Sequence, residues 1–156
     1  MSKETISQYT NSYKGYVFVN KALSSIQKGV QGSHALIELY NKYIKLDGPE
    51  LEILTDWSKN YKTLIFLDCG FNNEIKNNYS EFKKFCKLFD LPHAIFREDK
   101  ETMNRMYTAF AGIIPSFIFD FEYTHKEYEY SYPIETMSNA LELNFYNFLT
   151  EFDLAL

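Results

Sequence analysis

Residues 63–69 read TLIFLDC, an uninterrupted apolar run closed by one acidic residue and a cysteine. A run of this length and composition predicts a central strand covered on both faces. Upstream, residues 15–20 (GYVFVN) form a short β-rich run between Lys14 and Lys21. Downstream, residues 93–97 (HAIFR) and 106–114 (MYTAFAGII) read as two further strands, the last ended by Pro115. Between the first two runs, Ser24 or Ser25 can cap a helix. Ile26, Val30, Ser33, Ile37, Tyr40 and Ile44 then recur at helical spacing as one stripe. Between the second and third runs, Tyr79, Phe82, Phe85, Cys86 and Phe89 form another stripe, with Lys83, Lys84 and Lys87 on the outer side. Leu91-Pro92 stops that helix. The order β-α-β-α-β-β predicts an α/β fold with a mixed four-stranded sheet and at least one parallel pair.

The segments between are less regular. The first dozen residues are polar and read as a loose arm. Asp47-Gly48-Pro49 ends the first helix, 50–62 is a mixed connector holding Trp57, and the Asn-rich 71–78 is turn-like. Residues 98–105 are charged and loop-like. Gly29, Gly32, Ser33 and Ala35 thin the first helix, at a cost of about 1 kcal/mol for each interior glycine. The expected return is close backbone approach, with the helix packed on the sheet through Gly29 and Ser33.

The tail has its own pattern. Phe117, Phe119, Phe121 and Tyr123 alternate with Ile118, Asp120 and Glu122. After a turn at 124–127, Tyr128, Tyr130 and Tyr132 alternate with Glu129 and Ser131. This predicts a hairpin with an aromatic face. Pro133 suits the first turn of a last helix, whose stripe is Ile134, Met137, Leu141, Phe145, Phe148 and Phe152. The expected organisation is an α/β domain over 1–114, with the hairpin and helix of 115–156 packed on it. Cover for so many apolar residues comes from the same domain or from a second copy in a homodimer.

The chain has 156 residues and a net charge of −5, with 46% hydrophobic and 24% charged residues. That balance excludes a disordered chain, and a total of ten Pro and Gly excludes a collagen-like or linker protein. An acidic chain also makes a poor general nucleic-acid binder unless one face is locally basic. Aromatics reach 18%, which fits a core built with rings or a sticky outer surface. Lysines outnumber arginines 14 to 2, pointing to an AT-rich genome such as a bacteriophage's. Cys69 and Cys86 read as buried free thiols in a reducing compartment. No apolar leader and no stretch near the ~20 residues of a bilayer span is present, so a cytoplasmic protein without membrane attachment is expected.

No phosphate-binding glycine loop, CxxC, HExxH or GxSxG occurs, so neither cofactor nor metal is expected. What stands out is a polar stripe on the first helix: Gln27, Gln31, His34 and Glu38, with Asn41 and Lys45 further along. Gln31-Gly32-Ser33-His34-Ala35, following an apolar strand, resembles the Q-x-x-H-A at the start of the first helix in the type II peptidyl-tRNA hydrolases. About two-thirds of the chain shares that family's β-α-β-α-β-β order. The resemblance aligns Arg97-Glu98 with the family's Arg-Asp after the third strand, Thr102 with its threonine, and Thr108 near a second one. The family's two lysines fall on Ser25 and Gln27; Lys28 stands one step away, about 100° around a helix.

Two functions follow as expectations. The first is a non-hydrolytic accessory protein that binds an unknown protein or small molecule, with Gln27, Gln31 and Gly32 at the ligand. The second, implied by the resemblance, is hydrolysis of peptidyl- or aminoacyl-tRNA esters. There His34 is the base or orienter, Glu98 or Asp99 the carboxylate, Thr102 or Thr108 a donor, and Lys28 the oxyanion or phosphate contact. Convergence of Lys28, His34 and Glu98 on one cleft favours hydrolysis; an exposed apolar patch favours binding.

Overall fold

The structure is a computed structural model that describes residues 12–99, 101, 106–121 and 137–155. Four strands form one sheet: β1 (Tyr13–Val19), β2 (Leu64–Asp68), β3 (His93–Arg97) and β4 (Tyr107–Pro115), in the order β2-β1-β4-β3. β1 and β2 are parallel; β4 runs antiparallel to both β1 and β3. Helix α1 (Ser25–Tyr43) and α2 (Pro49–Asp56), the latter continued by a π-helical turn (Trp57–Tyr61), connect the parallel pair. Helix α3 (Asn72–Leu88) leads from β2 to β3, α4 (Ser116–Phe119) is a single turn after β4, and α5 (Met137–Thr150) follows. The mixed four-stranded α/β sheet is therefore as the apolar runs require.

Alternation along β1 divides the core. Val17 and Val19 join Ala109 and Ala111 of β4 beneath Ala35 of α1. These small residues let α1 lie close. A Cβ on Gly32 would stand 2.8 Å from Val17 Cγ1 and collide with the edge of the Phe66 ring. Tyr16 and Phe18 point to the other face, where the aromatic excess is spent. Phe18 stacks on Phe110 with centroids 4.4 Å apart. Phe82 of α3 joins them, and Phe85 stacks on Phe145 of α5 at 4.8 Å.

Several expectations are corrected. TLIFLDC forms an edge strand, β2, rather than a central one. Its outer side is satisfied by the chain itself, since Asp68 N–H donates to Asp153 O and Ala155 N–H to Phe66 O, each at 2.9 Å. The apolar stripe of α1 faces outward: Ile26 is 82% exposed, Val30 48%, Ile37 54% and Ile44 60%. The buried face is Lys28, Gln31, Gly32, Ala35, Leu39 and Tyr43. Gly29 meets nothing within 4 Å, and exposed Ser33 bonds back to Gly29 O, so neither packs on the sheet. Residues 49–56 are helical, with Pro49 in the first turn and Leu54 buried. The Asn-rich stretch begins α3, because Glu74 Oε2 accepts the Phe71 N–H at 2.7 Å and Ile75 is buried.

The expected first hairpin strand is overturned where it begins. Ser116–Phe119 is a helical turn, which sinks Ile118 into the core, sets Phe117 6.0 Å from Phe89 and places Phe119 under Lys14 Nζ. Tertiary packing overrides the period of two. The turn at 124–127, Tyr128–Tyr132, Pro133 and Ile134 lie outside the described residues.

Candidate functional site

Asn20, Asp68 and Thr108 gather at the carboxyl ends of β1 and β2, the end where open α/β sheets place ligands. Asn20 follows β1 and is buried. Its N–H donates to Thr108 O at 2.9 Å, and its Oδ1 accepts the Ala22 N–H at 2.9 Å, bending the chain towards α1. Ser24 caps α1: its Oγ accepts the Gln27 N–H, while Gln27 Oε1 accepts the Ser24 N–H at 3.0 Å. Gln27 is thus engaged in the cap.

One turn into α1, Lys28 points inward. Its Nζ is 2.7 Å from Asp68 Oδ1, at the end of β2, and both side chains are largely buried. Gln31, a turn further, accepts a hydrogen bond from Thr108 Oγ1 at 3.0 Å, and this pair is buried too. Gly32 beside it is the close-contact point between helix and sheet.

His34 and Glu98 belong to the β3 side. The His34 ring stacks on Phe96 with centroids 4.6 Å apart and an interplanar angle of 16°. Glu98 is nearly buried just after β3, its N–H donating to Met106 O at 3.0 Å. Asp99 follows, exposed. Thr102 lies outside the described residues. The fold therefore joins Lys28 to Asp68 and Gln31 to Thr108, while His34 is held by Phe96. Among the described residues, no hydrogen bond or ion pair links Lys28, His34 and Glu98 to one another.

Asp68 and Asn20 are the members that pattern reading missed. Each is a polar residue closing an apolar strand run, and that position was the available signal. As for chemistry, the Lys28 ammonium is neutralised by Asp68 and must leave that pair to meet an anion. The thiols are not nucleophiles at neutral pH. Burial pushes Cys69 up to about 12 despite the Asn78 amide at its sulfur, and burial also raises Cys86 well above the ordinary value. Among the described residues, no group of three His, Cys, Asp or Glu side chains is placed to hold a metal ion. No helix among them is long and apolar enough to cross a membrane.

No protein-family model matches the chain, and no curated protein matches it.

Proposed function

We propose that this chain is a cytoplasmic, non-hydrolytic accessory protein with a fold like that of the type II peptidyl-tRNA hydrolases, and that it works by docking a protein partner. The observation that carries this reading is the outward row of α1, where Ile26, Val30, Ile37, Tyr40 and Ile44 stand in water. An exposed row of apolar side chains on a helix, broken here by Ser33, is the kind of face that serves as an interaction surface. The engagement of Lys28 by Asp68 supports the absence of turnover, because the one lysine near the family's positions is already neutralised.

The test has two arms. Purified protein is mixed with N-acetylated aminoacyl-tRNA and release of the acetylated amino acid is followed; the expected rate equals the blank. In the second arm, Ile26→Lys/Ile37→Lys is expected to lower the fluorescence of anilinonaphthalene sulfonate bound to the protein while Tm stays within about 2 °C, as for surface changes generally. Robust release that disappears in Lys28→Ala or His34→Ala would overturn the reading.

One observation favours the hydrolase alternative: Lys28, Gln31 and Thr108 lie together at one end of the sheet. The same release assay decides between the two. Self-association through the α1 row, giving a homodimer, would appear as a doubled mass in sedimentation that Ile37→Lys abolishes.

A further inference from the structure

β2 and β3 are the two edges of the sheet. The chain closes the β2 edge itself, through the antiparallel bridge of Leu67 with Leu154. The β3 edge is treated differently. Ile113 N–H donates to Pro92 O at 3.2 Å, and His93 lies opposite Gly112. In the alternating antiparallel pattern, Ala94 and Phe96 then face β4, while His93 and Ile95 direct N–H and C=O away from it. His93 bears this phase out. Its N–H meets Tyr43 Oη at 3.3 Å, and its carbonyl accepts from Lys42 Nζ at 2.8 Å. The last turn of α1 thus blunts the edge at its first residue. Ile95, two residues on, has no such cap among the described residues.

In front of Ile95 lies a hollow of about 330 Å3 lined by Glu38, Asn41, Lys42, Tyr79, Ala94 and Ile95. One wall is α1 and the other is Tyr79 of α3. We propose that this open edge accepts an extended, acidic segment of a partner protein by strand addition. A strand added about 4.8 Å from β3 would run through the hollow and send alternate side chains to the two walls.

Charge selects the occupant. Lys83 and Lys87 follow Tyr79 at four and eight residues on α3, along the same face. With Lys42 they are near enough for their charges to act on His93. Burial, and then Lys83, hold the Lys42 amine below its ordinary value. Glu38 is the one carboxylate of the lining. Glu50 also reaches Lys42, and three lysines against these two carboxylates still leave, in a chain of net charge −5, a local excess of cations that an acidic segment would relieve. A second copy fits worse: antiparallel pairing about Ile95 sets His93 and its lysines against Arg97 of the other copy. This inference uses neither the outward row of α1 nor Lys28, so it stands or falls separately from the function proposed above.

The test uses a fluorescein-labelled hexapeptide alternating glutamate and valine, read by fluorescence anisotropy on the full chain. Saturable binding is expected, weakened about fivefold or more between low and 0.3 M salt. Methylating the peptide's central backbone nitrogens should weaken it about tenfold. Ile95→Pro should do the same, since its missing N–H points away from β4 and an edge strand tolerates proline there. If Ile95→Pro does not fold, the methylated peptide on the unaltered protein decides. Equal binding of the lysine–valine peptide or of the methylated peptide, or no binding at about 1 mM, overturns the proposal. So does displacement of the peptide by an equal concentration of free glutamate, which would make the hollow a small-molecule site. Self-association abolished by Ile95→Pro, without peptide binding, assigns the edge to a second copy and overturns it as well.

Discussion

Thr108 Oγ1 donates to Gln31 Oε1 at 3.0 Å inside the protein, tying β4 to α1 across the face of the sheet. Removing the donor alone leaves a buried amide oxygen unpaired. Thr108→Val should therefore cost about 1–3 kcal/mol in urea unfolding. The double change Thr108→Val/Gln31→Met removes both polar partners and should recover most of that loss. A double variant as unstable as the sum of the singles would show that the pair is not coupled.

Two glycines on α1 should respond with opposite signs. Gly32→Ala drives a methyl against Val17 and the Phe66 ring and should destabilise by about 1–3 kcal/mol. Gly29→Ala meets open space and should stabilise by about 0.5–1 kcal/mol. Thermal unfolding of the two variants separates them; equal shifts would contradict the close approach at Gly32.

His93 makes stability depend on pH. Burial, helped by Lys42, Lys83 and Lys87 and opposed by the Leu91 carbonyl, lowers it from 6.5 to about 4. The unfolded chain then binds the proton first. The stability it contributes is full above pH 6.5 and is lost as pH falls towards 4, amounting to about 3 kcal/mol. His93→Phe should flatten the decline of Tm between those values. An unchanged slope would assign the decline to other groups.

The two cysteines should be silent in the native state. Burial raises both thiols, so Ellman's reagent at pH 8 is expected to modify neither Cys69 nor Cys86 until denaturant is added. Rapid modification of the folded protein would contradict their placement.

The strands were legible because their apolar runs are short, bounded by turn residues and rich in Phe, Ile and Val. The extent of α1 was legible as well, but not its orientation. The periodic row of Ile26, Val30, Ile37 and Ile44 faces water, while the sheet takes a face of Gly32, Ala35 and Leu39 with Lys28 and Gln31 paired inside. Periodicity registers apolar rows; it does not register a polar residue whose partner, Asp68 or Thr108, lies far along the chain. The alternation of Phe117 and Phe119 misled for a related reason. A single helical turn satisfies those rings through contacts with Phe89 and Tyr16 that local pattern cannot see. Of the candidate site, Lys28, Gln31 and Thr108 were read from sequence, whereas Asp68 and Asn20 emerged only from the fold.

β1 is the first of the described strands and sits inside the sheet, between β2 and β4. During synthesis it leaves the ribosome long before β4, its antiparallel partner, exists. Until then the run from Tyr16 to Val19 has one unpaired side, and its apolar faces gain cover only piecemeal as the helices emerge. All of its pairing is non-local, which makes for slow closure of the sheet and a nascent chain that presents a partly uncovered β-segment. The early helix α1 can shelter only the Val17 and Val19 face. The Tyr16 and Phe18 face waits for α3 and α5, so protection of the growing chain, more than stability of the finished one, is the constraint this topology sets on producing the protein.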